Sequence, residues 1–326
     1  MEYSITNLAV DNVGENVYVK AFAEGVEMEQ RENPLLVSVL FASYNHEKYV
    51  EASIRSIMAQ EGVKFELIVI DDGSTDRSPA ILEKLQKEFD FQYIHRPNKG
   101  LVATMNELLA MARGKYFCSF ASDDIMPAGR LAEQTTYLEN HPEVPACFGQ
   151  IITMDGEGRL ASRIDPRYEK SIPQVSFEEF FLGQKEIHGC SEMIRVADFR
   201  EWGGYDGRIA QEDFQMILKL LSKHSPLPVI RTVCCHYRIH GKNASSAETA
   251  ENVDKLYTNM LQTVELYRSH PLYKKAVKLW KMRWFSALAY KNKGHAIAKF
   301  PELASWTPAF IKRLPKLLIP SFLLRH

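Results

Sequence analysis

From residue 34 the chain alternates unbroken apolar runs with stretches in which apolar residues recur every three or four positions. Leu35-Leu36-Val37-Ser38-Val39-Leu40-Phe41 is almost continuously apolar, the pattern of a strand covered on both faces. Glu47–Gln60 places Val50, Ile54, Ile57 and Met58 on one helical face. Phe65–Ile70 is the next predicted strand, followed by a helix through Ile81, Leu82 and Leu85, a strand at Phe91–His95 and a helix from Lys99 to Met111. Gly114–Phe120 is aromatic and β-prone; its run halts at Asp123-Asp124, after which Pro127 is placed to open a helix. Strands and helices joined by short connections predict a mostly parallel sheet flanked by helices.

Beyond Pro142 the alternation loosens. Cys147–Met154, Ser191–Arg195 and Val229–Tyr237 read as strands, Ser176–Leu182 as a short helix and Gln211–Ser222 as an amphipathic one. Residues 249–292 read as two long helices separated near Pro271. At the other end, Ile5–Val10 and Val17–Phe22 flank the turn-forming Asp11-Asn12-Val13-Gly14, which predicts a hairpin. The expected organisation is an N-terminal hairpin arm over 1–33, an α/β domain over 34–246 and a basic helical extension over 247–326.

Charge sharpens that division. The net charge of -1 over 326 residues hides twelve Lys/Arg against the single Glu302 in residues 273–326. Ala309–Pro320 mixes cations with bulky apolar residues, as in a segment lying on an anionic membrane surface. Pro315 and Pro320 interrupt any helix there, and packing of the apolar residues on the catalytic domain is the competing reading. Nucleic acid is the lesser explanation. Five cysteines without a C-x-x-C pair point to reduced thiols in a cytosolic protein. Cys234-Cys235-His236 is rejected as a zinc site, because adjacent residues without a partner pair make a poor tetrahedron. The N-terminus shows no signal peptide and no apolar run reaches the ~20 residues of a membrane span, so a soluble or peripheral protein is expected.

Four polar clusters follow directly after strands: Ser43-Tyr44-Asn45, Asp71-Asp72-Gly73-Ser74, Asn98-Lys99-Gly100 and Asp123-Asp124. On a parallel sheet such loops share one edge and build one pocket. Paired carboxylates there suit a hard cation, and equally a capped turn. The motifs Val37–Asn45, Ile70–Asp76, Asn98-Lys99-Gly100, Ala121-Ser122-Asp123-Asp124 and Gln211-Glu212-Asp213 together resemble the nucleotide-sugar-dependent glycosyltransferases of family 2. The resemblance covers roughly residues 34–246 and implies the GT-A fold, a Rossmann-like α/β architecture with a mostly parallel sheet.

By that resemblance Ala42, Ser43, Tyr44, Asn45, Asp72, Lys99, Gly100, Asp123 and Arg238 line the nucleotide-sugar site. Tyr44 would lie against the base, Asp72 would accept a hydrogen bond from base or ribose, and Asp123 would meet ribose or sugar. Asp124, with His240 as a further ligand, would hold Mg²⁺ or Mn²⁺. Asp213 matches the family's general base with Glu212 second, and His188, Gly189 and Trp202 fall on the acceptor side. Plainer roles stand beside these: an Asx-turn for Asp72, a solvated flank for Lys99, a structural ring for His188, core packing for Trp202 and a first-turn helix acid for Asp213.

The implied activity is inverting, metal-dependent transfer from a nucleoside-diphosphate sugar to a hydroxyl of a lipid-linked surface glycan, such as a lipopolysaccharide or other polysaccharide. It would take place at the cytoplasmic face of the cell membrane, and a homo-oligomer through the hairpin or the C-terminal helices is compatible with it. A sugar-phosphate nucleotidyltransferase would want a Gly-rich basic loop after the first strand, a non-catalytic binding module would lack a base, and a dehydrogenase would want G-x-G-x-x-G.

Overall fold

The structure, a computed structural model, describes residues 36–161, 173–240, 249–304 and 311. The expected hairpin arm, the loop Gly241–Ser246 and all of the basic tail except Ile311 lie outside the described residues. The first half runs β1 (Val37–Ser43), α1 (Val50–Met58), β2 (Phe65–Asp71), α2 (Ser78–Glu88), β3 (Gln92–His95), α3 (Leu101–Met111), β4 (Tyr116–Ala121) and α4 (Arg130–Asn140). The second runs β5 (Ala146–Met154), β6 (Gln174–Val175), α5 (Phe177–Phe181), a 3₁₀ turn at Gly189–Ser191, β7 (Met193–Arg195), α6 (Val196–Glu201), α7 (Glu212–Lys223) and β8 (Leu227–Arg238). Among the described residues four helices follow: α8 (Ala250–Glu265), α9 (Tyr273–Lys291), α10 (Lys293–Ala298) and α11 (Phe300–Leu303).

The strands form one sheet in the order β3-β2-β1-β4-β7-β5-β8-β6. β3, β2, β1 and β4 are parallel, as the short connections predict. β7 then runs antiparallel to both β4 and β5, while β8 is parallel to β5. Alternate residues of the first strands feed two separate cores. Leu40, Ile68, Ile70 and Phe117 pack with residues of α3 and α7 on one face, and Val39, Phe41, Val69 and Cys118 with residues of α1, α2 and α4 on the other. Burial on both faces is why these strands carry no polar alternation.

Two expectations change. Pro127 does not open a helix: Gly129, at φ 81°, lies between it and α4 and reverses the chain first. The strand expected over Ser191–Arg195 is shorter, because Gly189–Ser191 is wound into a 3₁₀ turn. The helical extension, for its part, packs on the α/β core through α9. Trp280 donates its indole N–H to the Phe181 carbonyl at 2.9 Å and meets the Phe214 ring at 5.1 Å.

Arg130, in the first turn of α4, is the largest wholly buried side chain among the described residues. Its guanidinium donates to Gln134 Oε1 at 3.0 Å, to the Cys234 carbonyl of β8 at 2.9 Å and to the Glu192 carbonyl before β7 at 2.9 Å. One side chain thus ties a helix to two segments of the second half-sheet. Arg130→Met should cost about 3 kcal/mol or more, because it strands buried carbonyls. Arg130→Lys should recover only part of the loss, lacking the planar fork. Urea denaturation checks both, and a midpoint unchanged in Arg130→Met would refute the clasp.

Candidate active site

β1 sits between β2 and β4 with Ser43 beside Asp71 and Ala42 beside Ala121, so the three loops that follow converge. After β1, Asn45 adopts a left-handed φ of 55°, which Asn tolerates better than most residues. Its Oδ1 accepts from the Thr75 N–H and its own N–H donates to Ser74 Oγ, each at 2.8 Å. Beside that lashing Tyr44 is 49% exposed, and its ring offers a flat face. Asp71 is wholly buried and shapes the second loop, accepting from the N–H and hydroxyl of Ser74 and meeting His95 Nδ1 at 2.9 Å.

Asp72 accepts from the backbone N–H groups of Lys99 at 2.9 Å and Gly100 at 3.0 Å, and from the Arg96 guanidinium. A carboxylate at the first turn of α3 is favoured by the helix dipole, so Asp72 couples the second loop to the third. Gly73 permits that approach: at φ 79° it faces the Asn98 backbone, and a Cβ there would collide with it. The Lys99 ammonium reaches Glu107 at 2.6 Å, which is the solvated role, while its backbone N–H serves the pocket.

The carboxylates after β4 are held by the far end of β8. Ile125 and His236 exchange backbone hydrogen bonds at 3.2 and 2.9 Å. Asp124, almost wholly buried, accepts from the Arg238 N–H at 2.8 Å and from the Cys235 thiol at 3.3 Å. Burial, and then the neighbouring Asp123 charge, push its carboxyl well above the ordinary Asp range. Asp123 faces the opposite way. Its Oδ2 lies 2.9 Å from His240 Nε2 and 4.0 Å from His46 Nε2.

His240, expected as a ligand alongside Asp124, gathers on Asp123 instead. Donor atoms of His46, Asp123 and His240 lie within 4.8 Å of one another. His46 is steadied by Ser122 Oγ at 2.7 Å, and Tyr49 stacks on His240 with ring centres 4.9 Å apart. Neither was singled out from sequence, although His46 directly follows Ser43-Tyr44-Asn45. Arg238 is a strut: buried, it donates to the Asp123 carbonyl at 2.7 Å and lies over the Tyr49 ring.

Glu212 and Asp213 begin α7. Gly189 leaves room for Asp213, since a Cβ there would fall inside its carboxylate. Burial raises the carboxyls of both Glu212 and Asp213, and for Glu212 the Asp213 charge adds to it. Asp213 therefore has more proton affinity than an ordinary Asp. Glu192, wholly buried with one oxygen on the Ser119 N–H at 2.6 Å, is likewise pushed up to about 8, mainly by burial. The His188 ring lies 6.0 Å from that of Tyr237. Trp202 ends α6 and packs against the core, the plainer of its two roles.

A mixed sheet whose parallel half ends in interlocked polar loops, with carboxylates and imidazoles gathered at that edge, is the GT-A architecture of glycosyltransferases. The model for Glycosyl transferase family 2 matches residues 38–202, and the chain belongs to that family. It is 26% identical over 262 residues to an uncharacterized glycosyltransferase of Methanocaldococcus jannaschii, covering 78% of this chain and 87% of that protein. An uncharacterized glycosyltransferase of Haemophilus influenzae is 29% identical over 241 residues, 69% of this chain and 73% of its own. S. aureus TarS 1-349 in complex with UDP-GlcNAc superposes with a TM-score of 0.61 at 16% identity, covering 87% of this chain and 81% of that one. The mannosyltransferase PcManGT from Pyrobaculum calidifontis, in complex with GDP-Man and Mn²⁺, gives 0.55 at 15%, covering 89% and 88%.

The raised carboxyls have a thermodynamic signature. An acid whose folded-state pKa exceeds its unfolded value favours the fold most below that unfolded value, about 4.3 for Glu. The contribution is lost as pH rises through the folded value. Glu212→Gln removes the loss, so its melting temperature should exceed wild type by about 2 °C or more at pH 8, with little difference at pH 4. Scanning fluorimetry across pH tests this; a constant offset would contradict it.

Proposed function

We propose that the chain is an inverting, metal-dependent glycosyltransferase that moves a sugar from a nucleoside-diphosphate donor to an acceptor hydroxyl. The observation that carries the reading is the pairing of an N/O donor cluster, His46, Asp123 and His240, with a separate, partly buried carboxylate, Asp213, on the first turn of α7. Complexes of structurally similar proteins with UDP-GlcNAc and with GDP-Man and Mn²⁺ support the donor class. Two imidazoles and a carboxylate suit Mn²⁺ better than Mg²⁺. A cation held there would supply positive charge to the departing diphosphate.

The chain's own residues do the rest. Tyr44 offers its exposed ring to the base, and Asp72, anchored to α3, keeps the loops in register with acceptor capacity to spare. Asp213 takes the proton of the acceptor hydroxyl as that oxygen attacks the anomeric carbon. The bond from that carbon to the diphosphate oxygen breaks, its electron pair leaves with the nucleoside diphosphate, and the configuration inverts. Burial raises the proton affinity of Asp213 towards working pH, which suits a base. His188 and Gly189 flank the acceptor side. The acceptor is a lipid-linked glycan met at the cytoplasmic membrane face, a reading supported by the mixed cationic and apolar composition of Ala309–Pro320. Among the described residues no helix is long and apolar enough to cross a membrane.

Asp213→Asn should still bind nucleotide with Mn²⁺ by calorimetry, yet lose acceptor-dependent nucleoside diphosphate release about 10²–10⁴-fold. Asp123→Ala should instead lose the Mn²⁺-dependent part of nucleotide binding. Unchanged turnover in Asp213→Asn would sink the assignment of the base. Truncation after residue 304 should reduce co-sedimentation with anionic liposomes; equal binding would remove the membrane reading.

A further inference from the structure

Beneath the Asp123 cluster lies a second set of donors with different chemistry. Cys190 of the 3₁₀ turn, Cys235 of β8 and Asp124 come from three separate segments, and their ligand atoms fall within 4.8 Å of one another. Cys235 Sγ already lies 3.3 Å from Asp124 Oδ2. A tetrahedral Zn²⁺ with bonds of about 2.3 Å to sulfur and about 2.0 Å to oxygen needs S···O separations of about 3.5 Å. Small side-chain adjustments therefore suffice.

We propose that Asp124, Cys190 and Cys235 form a binding site for a thiophilic divalent cation, Zn²⁺ in the first instance, distinct from the His46, Asp123 and His240 cluster. Two sulfurs and one carboxylate disfavour Mg²⁺ and Mn²⁺ and favour zinc-like ions, with water completing the tetrahedron. A buried cation, Arg130, lies nearby, within the field of the Glu192 carboxyl as well. Arg130 is wholly buried, and its hydrogen bonds all go to neutral acceptors: Gln134 Oε1 and the carbonyls of Cys234 and Glu192. Burial, the Cys190 hydrogen bond and the Asp124 charge hold the Cys235 thiol well above its ordinary value and Cys190 is raised as well, with the Arg130 charge opposing the rise in both.

Binding would release the two thiol protons, and the Asp124 proton where the carboxyl holds one, leaving two thiolates and a carboxylate around the ion, one net negative charge beside that guanidinium. Access is through Cys190, the one cysteine that is not fully buried. Cys234, rejected with its neighbours as a sequence motif, is no part of the site; its thiol donates to the Thr232 carbonyl. What sequence could not supply was the partner for Cys235, which stands 45 positions away at Cys190.

The test uses Co²⁺ alone as a spectroscopic probe of the full chain, kept reduced. One equivalent should produce a sulfur-to-cobalt charge-transfer band, bleached by Zn²⁺. The band should be lost, or its midpoint weakened at least about tenfold, in Cys190→Ser and Cys235→Ser. It should persist in Cys234→Ser and in His240→Ala, which separates this site from the other cluster. Should Cys235→Ser fail to fold, wild-type protein carries the second measurement: N-ethylmaleimide should label Cys190 first, and one equivalent of Zn²⁺ should protect it. Absence of the band in wild type, its survival in Cys190→Ser, or unprotected Cys190 would each overturn the site. These read-outs are of binding, so they succeed or fail independently of the transferase reading.

Discussion

The active-site edge depends on one clasp, the backbone exchange between Ile125 and His236 with Asp124 locked onto the Arg238 N–H. β4 and β8 are not neighbours in the sheet; β7 and β5 lie between them. A loop that leaves the parallel half must therefore reach over to a strand end in the other half, and a buried carboxylate is what holds it there. With one Asp124 oxygen held by this clasp, the adjacent Asp123, itself buried, meets His240 and His46. The cluster is a consequence of how the two half-sheets are joined.

Charge in a dry setting is the second theme. Asp124, Glu192, Glu212 and Asp213 are all raised by burial, so this region holds protons that exposed carboxylates would have given up. Arg130 sits among them with neutral hydrogen-bond partners, fixing backbone carbonyls on two segments that carry site residues. A set of acids poised in this way is costly as pure structure and useful as proton-handling machinery. The five cysteines line the same region. None is fully exposed, and their thiols add polarisable bulk where a charged group would need a partner.

Much of the parallel half was legible because local pattern and fold agree there. β1, β2 and β4 read as apolar runs since both their faces are covered, and α1 and α3 read from their spacing to within a few residues. The loops after β1, β2 and β4 were recognisable as neighbours at one sheet edge because parallel topology places strand ends together. The helix that Glu212 and Asp213 open was legible too, since an acidic pair ahead of amphipathic spacing is a local signal. The misjudged boundaries have local causes: Gly129 delayed α4 past Pro127, and Gly189–Ser191 wound a short turn where a strand was expected.

Sequence alone determined the alternation of elements, the family and the set of polar residues from which a site had to be built, because each rests on periodicity or on contiguous motifs. It could not decide which of those residues meet. The approach of His240 to Asp123 rather than Asp124, the mooring of Asp72 on α3 and the meeting of Cys190, Cys235 and Asp124 all depend on contacts 24 to 117 positions apart. The contacts at Asp123, Asp124 and Cys235 are set by how β8 returns along β5, and that of Asp72 by how the loops after β2 and β3 meet at the start of α3, tertiary choices with no local signature. The same return divided the labour of adjacent aspartates, sending one into the core and leaving its neighbour at the pocket.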